Sequence, residues 1–462
     1  MYFWRWALWK LFENPVAEST GPGIVSFITA SSYLRGPGFV GMRQKMREAF
    51  DELWIIDLEG DNLGARKTEN VFNIQTPVAI AIGVRYCEAK PSTPAKVHYT
   101  RVTGTRDEKY AALDKIQKFN DLNWQDCSDG WQQPLLPKQE GNYSVWPLLT
   151  DLFPWQHSGV QFKRTWPIGE TPEVLQKRWI ALLEKQGDER RNAFRETRDR
   201  KADRQYPDLL QPKRRLLAIS QITSDTPSLP TVRYAFRSFD RQWAIQDSRL
   251  GDYLRPVFWL IQSNRQVYMT SLLTGVLGVG PAASMSAFIP DLHHFRGSFG
   301  GKDVIPLWRD AASTQPNLPV GLLVALGKTF GRVVTAEDFF AYAYAVLASP
   351  AYVDKFSDKL TVPPPRLPVT KDNKLFNEAV AIGRRLIWLH TYGERFAPDG
   401  ETQVPTGKAE CVAEIKKGYP EEFSYNFESQ LLRVGDGEFT HVSPAVWDFS
   451  VSGLAVLTCP HS

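Results

Sequence analysis

The sequence predicts an α/β protein, with part of a mostly parallel sheet and its covering helices in the first 140 residues and a larger mixed α+β unit after them. Three observations lead there. The apolar runs Ile24–Thr29, Leu53–Leu58 and Val78–Val84 are nearly continuous rather than alternating, as in strands buried on both faces. Between the first two, Met42, Met46 and Phe50 recur at i, i+4 and i+8, a helical face. Hydrophobic residues make up 43% and aromatic residues 12% of the 462, which is globular composition in a chain long enough for two or three domains.

The N-terminal MYFWRWALWKLFE is amphipathic and aromatic, and reads as a helix that packs on the sheet and ends before Pro15. Arg5 and Lys10 interrupt it and no small-residue cleavage site follows, so it is neither a signal peptide nor a membrane span. After the second strand comes the loop DNLGARKTENVFNIQTP, with Arg66 and Lys67, then Phe72, before Pro77 leads into the third strand. Two cations and an aromatic on a loop at a sheet edge are placed to meet a ligand. The alternative for Phe72 is a plug that holds the loop on the core. A strand at Lys96–Val102 and a helical stretch at Thr105–Leu113 follow, and a polar segment up to Tyr143 puts the domain boundary near residue 140.

Three blocks in this region, FITASSYL from Phe27, FxGMRxxM from Phe39 and DLEGDNLGARKTENVFNIQTPVAIAIG from Asp57, resemble the second half of the catalytic domain of DNA adenine methyltransferases. The closest likeness is to Type ISP restriction-modification enzymes, single chains that join nuclease, helicase, methyltransferase and target-recognition domains. The resemblance implies that residues 1–140 are the C-terminal half of a Rossmann-like methyltransferase domain and that residues 141–462 are the target-recognition domain.

In the second unit, Thr171 as N-cap and Pro172 at the first helical position open a helix through Leu175, Trp179, Leu182 and Leu183. It runs into DERRNAFRETRDRKADRQ, where Arg190, Arg191, Arg195 and Arg198 either decorate a solvated charged helix or track a phosphate backbone. Tyr234 and Phe236 alternate as in a strand, and Phe239–Trp243 reads as a turn. Arg241 and Gln242 are apt for the edges of guanine and adenine; an ion pair of Asp240 with Arg241 or Arg249 explains the same residues. Gly275, Gly278 and Gly280 make a weak cofactor-loop pattern, and His293 and His294 with Asp291 lack a second cluster to complete a metal site. Arg296, Ser298 and Lys302, beside Gly300 and Gly301, are better suited to touch a phosphate. Thr335 with Asp338 forms a capping box, and Asp372 caps a helix with Leu375, Ala379, Ile382, Leu386 and Leu389 on one face. A faint PD…DxK echo at Pro290-Asp291 and Asp372-Asn373-Lys374 leaves a nuclease as a remote alternative.

A methyltransferase of the resembled family needs a glycine-rich loop for S-adenosylmethionine and an Asn-Pro-Pro-Tyr-type tetrapeptide that receives the flipped adenine. Neither occurs in this sequence, and Asn14-Pro15-Val16 lacks the second proline and the aromatic. The expectation is a C-terminal part of such an enzyme, slightly shortened at its own C-terminus. It would bind double-stranded DNA without methylating it, with S-adenosylmethionine entering only in the complete enzyme. The alternative is a stand-alone specificity module that works with a separate catalytic subunit, and in either case the missing N-terminal part is a possible partner. By the resemblance, Phe72 packs against the extruded adenine and Ser31 and Tyr33 border the base pocket; by their own chemistry and position, Arg66, Lys67, Arg241, Gln242, Arg296 and Lys302 are the candidates to contact DNA. The net charge of +4 does not by itself demand nucleic acid. Cys87, Cys127, Cys411 and Cys459 have no CxxC spacing and read as free thiols of a cytoplasmic protein.

Overall fold

In the computed structural model the three apolar runs do form strands, but they pair antiparallel. The structure describes residues 2–14, 21–60, 68–74, 76–87, 91–138, 142–278, 280–295, 303–357, 359–401, 403–416 and 422–457. The chain divides into two compact units: Met1–Trp146 with 274–278 and 356–366, and Pro147–Leu273 with Val279–Lys355 and Leu367–Ser462.

In the first unit, α1 (Tyr2–Leu8) precedes β1 (Gly23–Ala30), α2 (Val40–Ala49), β2 (Glu52–Asp57), β3 (Val78–Arg85), β4 (Lys96–Arg101), α3 (Arg106–Asp114) and β5 (Gln125–Asp126). The sheet order is β1-β3-β2-β4-β5, and only the β2–β4 pair is parallel. The expected mostly parallel sheet is therefore corrected to a mixed, mostly antiparallel one. The reason is visible on β1, an edge strand whose Ile24 and Ile28 are exposed while Val25 is buried. Its apolar run is one-sided, not buried on both faces. Trp4, Tyr33, Met46, Phe50, Leu53 and Ile55 form the core between helices and sheet. Thr105 caps α3 in a reciprocal capping box with Glu108.

Among its described residues the second unit carries several small antiparallel sheets. One joins β7 (Ile168–Gly169) to the hairpin β10 (Thr231–Arg237) and β11 (Asp240–Ile245). Another orders β13 (Ser284–Ser286), β12 (Tyr268–Ser271), β14 (Asp303–Pro306) and β6 (His157–Ser158). A C-terminal one orders β15 (Glu410–Ala413), β18 (Gly437–Thr440), β17 (Leu431–Val434) and β16 (Phe423–Asn426). A two-stranded hairpin, β8 (Tyr206–Pro207) and β9 (Arg215–Leu216), stands apart from these. Residues Asp240–Trp243, expected in a turn, lie on β11; the turn is shorter, at Ser238 and Phe239, with Phe239 at φ 64°.

Helices α4 (Pro172–Leu183) and α5 (Gly187–Phe194) replace the single long helix expected there. Helices α6 (Ala336–Ala348) and α7 (Asn373–His390) have the expected caps, since Thr335 accepts from the Asp338 N–H and Asp372 from those of Lys374 and Leu375. They pack so closely that a Cβ on Gly383 would lie 1.9 Å from the Ala341 carbonyl oxygen, which only glycine permits. The predicted inner face of α7 is partly wrong. Leu375 and Ile382 are exposed, and Phe376, Val380, Gly383, Ile387 and Trp388 are the buried residues. Among the described residues no helix is long and apolar enough to cross a membrane. Cys87, Cys127 and Cys411 are free thiols, and Cys459 lies outside the described residues.

Candidate nucleic-acid interface

The loop after β2 is built from its base upward. Backbone bonds between Leu58 and Val78 and between Val78 and Glu59 close its neck. From α3, the buried Lys109 ammonium donates to the Leu58 carbonyl (2.6 Å), the Thr68 hydroxyl (2.6 Å) and the Glu69 carbonyl (2.5 Å). Burial holds its pKa below the usual lysine value, with Glu59, Asp57 and Glu69 opposing that shift. The buried Asn70 side chain donates to the carbonyls of Gly60 and Thr76 and accepts from the Phe72 N–H (2.9 Å). Tyr110 adds a bond to the Val71 carbonyl (2.7 Å). With its backbone held from beneath, the loop presents Phe72 at 43% exposure. Phe72 is therefore not a core plug. Val71 beside it fills that role, at 4% exposure among Ile56, Leu58, Val78 and Val102. Arg66 and Lys67 lie outside the described residues.

Ser31 and Tyr33 are 0% and 2% exposed, and Tyr33 packs in the core beside Trp4. Burial raises the Tyr33 pKa above the ordinary phenol value. Neither side chain is open to solvent in this structure. Nor does the glycine pattern at 275–280 form a cradle. A Cβ on Gly280, at φ 92°, would meet the Ser450 carbonyl at 2.3 Å, so this glycine serves close packing of two backbone segments. The 275–280 segment therefore does not fit the close-backbone cradle that S-adenosylmethionine needs.

In the second unit the β10–β11 hairpin carries a row of cations in different states. Arg237 donates to Asp291 (3.1 Å), which also accepts from the buried Tyr234 hydroxyl (2.7 Å) and the His293 N–H (2.8 Å). Asp291 is thereby a structural acceptor, and Asp372 is a helix cap, so the PD…DxK echo has no catalytic geometry. His294 is buried against the Thr270 hydroxyl (3.0 Å), and burial lowers its pKa to about 3. Among the described residues no cluster of His, Cys, Asp or Glu is suited to a metal ion.

Arg233 lies over the Trp243 ring (4.4 Å to its centroid). Arg241 lies over Tyr392 (3.8 Å) and donates to Glu394 (3.2 Å). The Gln242 amide donates to Asp240 (2.7 Å). Both expected ion pairs of Asp240 are corrected: Arg241 takes Glu394, and Arg249 takes Asp247 through two bonds of 2.9 and 2.6 Å. Tyr392, just past the end of α7, also donates its hydroxyl to the Phe239 carbonyl at the hairpin tip. Stacking and ion pairing orient the Arg241 fork while leaving its side chain 32% exposed, the state from which a guanidinium can exchange a carboxylate for a base edge. Arg296 and Lys302 lie outside the described residues.

The arginine run also separates. Arg190 is buried, and its guanidinium donates to the carbonyls of Leu183 (2.7 Å), Lys185 (2.6 Å), Ile219 (3.2 Å) and Ile222 (2.7 Å). It closes the C-terminal end of α4, where unpaired carbonyls welcome a cation. Arg195 is the left-handed residue that ends α5, and Arg198 forks onto Asp199 (2.9 and 3.1 Å). Sequence reasoning missed Lys109, Tyr392 and Glu394, each joined to its partner across 40 or more residues.

Three solved structures share this fold. The nuclease-deletion mutant of the Type ISP restriction-modification enzyme LlaGI, in complex with a DNA substrate mimic, superposes with a TM-score of 0.61 at 17% identity, over 94% of this chain and 35% of that one. DrdV in its DNA complex gives 0.64 at 20% identity over 99% and 46%. The ATP-dependent Type ISP restriction-modification enzyme LlaBIII bound to DNA gives 0.63 at 15% over 98% and 32%. The chain thus spans less than half the length of each. No curated protein matches it. Residues 151–458 match the Type ISP C-terminal specificity domain, which covers most of the second unit, and the chain belongs to that family.

Proposed function

We propose that this chain recognises a specific sequence in double-stranded DNA for a Type ISP restriction-modification system, with the second unit reading base edges and the first contributing the end of a Rossmann-like adenine methyltransferase domain. The observation that carries the reading is Arg241, held over Tyr392 and beside Glu394 on the β10–β11 hairpin of a chain in the specificity-domain family. Arginine oriented in this way can bond both acceptors of a guanine in the major groove, and Gln242 beside it suits adenine. DNA complexes of three proteins with this fold support duplex DNA as the partner.

In the complete enzyme, Phe72 would meet the extruded adenine. Its exposure on a loop whose backbone is already fixed favours that role over core packing. The chain as given is expected to bind duplex DNA without transferring a methyl group, since its sequence contains no Asn-Pro-Pro-Tyr-type tetrapeptide.

The test is fluorescence-anisotropy binding of the purified chain to a random duplex library at two salt concentrations, followed by sequencing of the bound fraction. Enrichment of one site that persists at the higher salt is the expected result. Uniform, salt-labile binding with no enriched site would overturn the recognition role, and methyl transfer by the chain alone would overturn the division of labour.

A further inference from the structure

The segment Arg198–Leu217 holds seven Lys or Arg against three Asp, a net charge of +4, and the formal net charge of the whole chain is also +4. Twenty of the 462 residues thus carry all the excess positive charge. Its outer part is the β8–β9 hairpin.

The hairpin is firmly seated. The Tyr206 hydroxyl accepts from the Lys201 N–H (2.7 Å), and the Arg200 guanidinium lies over the Tyr206 ring (4.7 Å). Ser248 donates to the Pro207 carbonyl (2.5 Å), and Arg249 to the Leu217 carbonyl (2.9 Å). Leu209 is buried in the core of the second unit. The Asp208 carboxylate accepts the N–H groups of Leu210 (2.9 Å) and Gln211 (3.0 Å), which fixes the turn.

On this fixed backbone Arg204, Lys213, Arg214 and Arg215 are all exposed. Among the described ion pairs only Arg214 has a carboxylate neighbour, Asp208 at 3.9 Å. Nearby cations behave differently: Arg198 forks onto Asp199, Lys201 pairs with Glu196 (3.4 Å), and Arg191 lies near Asp188 and Glu196. An ordinary solvated face mixes signs in that way. A rigid hairpin of like charges repels itself, and the polyanion that relieves the repulsion is the phosphate backbone of duplex DNA.

We propose that the β8–β9 hairpin is a phosphate-contacting arm of the specificity domain, which adds sequence-independent affinity apart from the base-reading residues of β11. This rests on the reading that the chain binds duplex DNA. Two exposed leucines on the same segment, Leu210 and Leu217, make an anionic lipid surface the competing partner.

The experiment compares the wild-type chain with the triple variant Arg204→Ala, Lys213→Ala, Arg215→Ala. Anisotropy is measured on the enriched site and on a random duplex, between about 50 and 200 mM salt. The expected slope of log K against log salt falls by about 0.9 per lost contact, so by up to about 3 in all. Affinity should drop by the same factor on both duplexes, leaving the preference between them unchanged. A second variant, Arg204→Lys with Arg215→Lys, keeps the charge and should keep the slope, which excludes misfolding as the cause. An unchanged slope in the triple variant overturns the arm, and so does a loss confined to the enriched site. The arm is equally overturned if phosphatidylserine vesicles bind the wild type and lose the triple variant while DNA binding is untouched. A wild-type chain that binds no duplex removes the proposed function and the arm together, whereas a failed arm leaves the site preference standing.

Discussion

Two basic stretches that lie close together in the sequence, one around Arg190 and one from Arg204 to Arg215, meet opposite fates. On α5, Arg190 is 7% exposed and gives its N–H groups to four backbone carbonyls; on the β8–β9 hairpin, Arg204, Lys213 and Arg215 face solvent. The same residue types hold the fold together in one place and present charge in the other. What separates them is the supply of acceptors: α4 ends with carbonyls that need donors beside Arg190, whereas Asp208, the carboxylate within the hairpin, is already committed to its own turn. Arg241 stands between the extremes, engaged by Tyr392 and Glu394 and still partly exposed.

The largest effect expected from this contrast is on stability. Arg190→Ala should cost about 3–5 kcal/mol in denaturant unfolding, because it leaves buried carbonyls without donors, and the salt slope of DNA binding by the folded variant should stay unchanged. A stable variant with a flattened slope would move Arg190 into the interface and erase the distinction. For Phe72→Ala in the complete enzyme, lost stacking on the flipped base predicts a fall in methylation of about tenfold to a hundredfold, on the scale of about 1–3 kcal/mol per base. Duplex binding should change far less. Equal losses in both, or methylation left intact, would mean that Phe72 meets no extruded base.

A pH series sharpens the comparison from the buried side. Burial lowers the pKa of His294 to about 3 and that of His390 to about 4, the latter bonded to the Tyr344 hydroxyl (2.5 Å). Both imidazoles are neutral in the folded state near pH 5, while in the unfolded chain they take up protons from about pH 6.5 downward. The unfolded state then binds more protons, so stability falls as pH drops below about 6.5, by up to about 1.4 kcal/mol per pH unit for each histidine. His294→Gln should remove its share of that slope in urea titrations at several pH values. An unaltered slope would show that His294 titrates normally.

The smallest change probes the intermediate case. Arg241→Lys keeps the charge but loses the planar fork and its stacking on Tyr392, and should reduce discrimination at one base position by about 1 kcal/mol with the salt slope intact. If the preference stays unchanged in Arg241→Lys while Arg241→Ala lowers the salt slope, Arg241 belongs with the arm.

Much of this was legible in the sequence where the cause is local. The strands from residues 23 to 101, the helical stretch after Thr105 and the caps at Thr171, Thr335 and Asp372 follow from neighbouring residues, whereas the exposure of Phe72 did not, since the same loop could have plugged it into the core. Pairing was not legible, because a continuous apolar run does not say which strand lies beside it or in which direction; β1 reads as two-sided and is one-sided. Partners of charged residues were equally hidden. Arg249 chose Asp247, two residues away, over Asp240, and Arg241 reached Glu394 across 153 residues. The division of the arginines into holders and presenters depends on backbone carbonyls, which every residue possesses and no side-chain pattern reveals.

The close crossing of α6 and α7 at Gly383 makes the hairpin adjustable from afar. Tyr392, which ties the hairpin tip, emerges from the end of the helix that Gly383 allows to sit against Ala341. Gly383→Ala must push that helix outward, and the expected readout is a changed site preference, in the selection described above, from a residue that touches no DNA. A preference identical to that of the wild type would show that the tip absorbs the displacement. If the preference does change, new target sequences are open to this fold by alterations deep in its interior, with every side chain at the DNA surface left as it was.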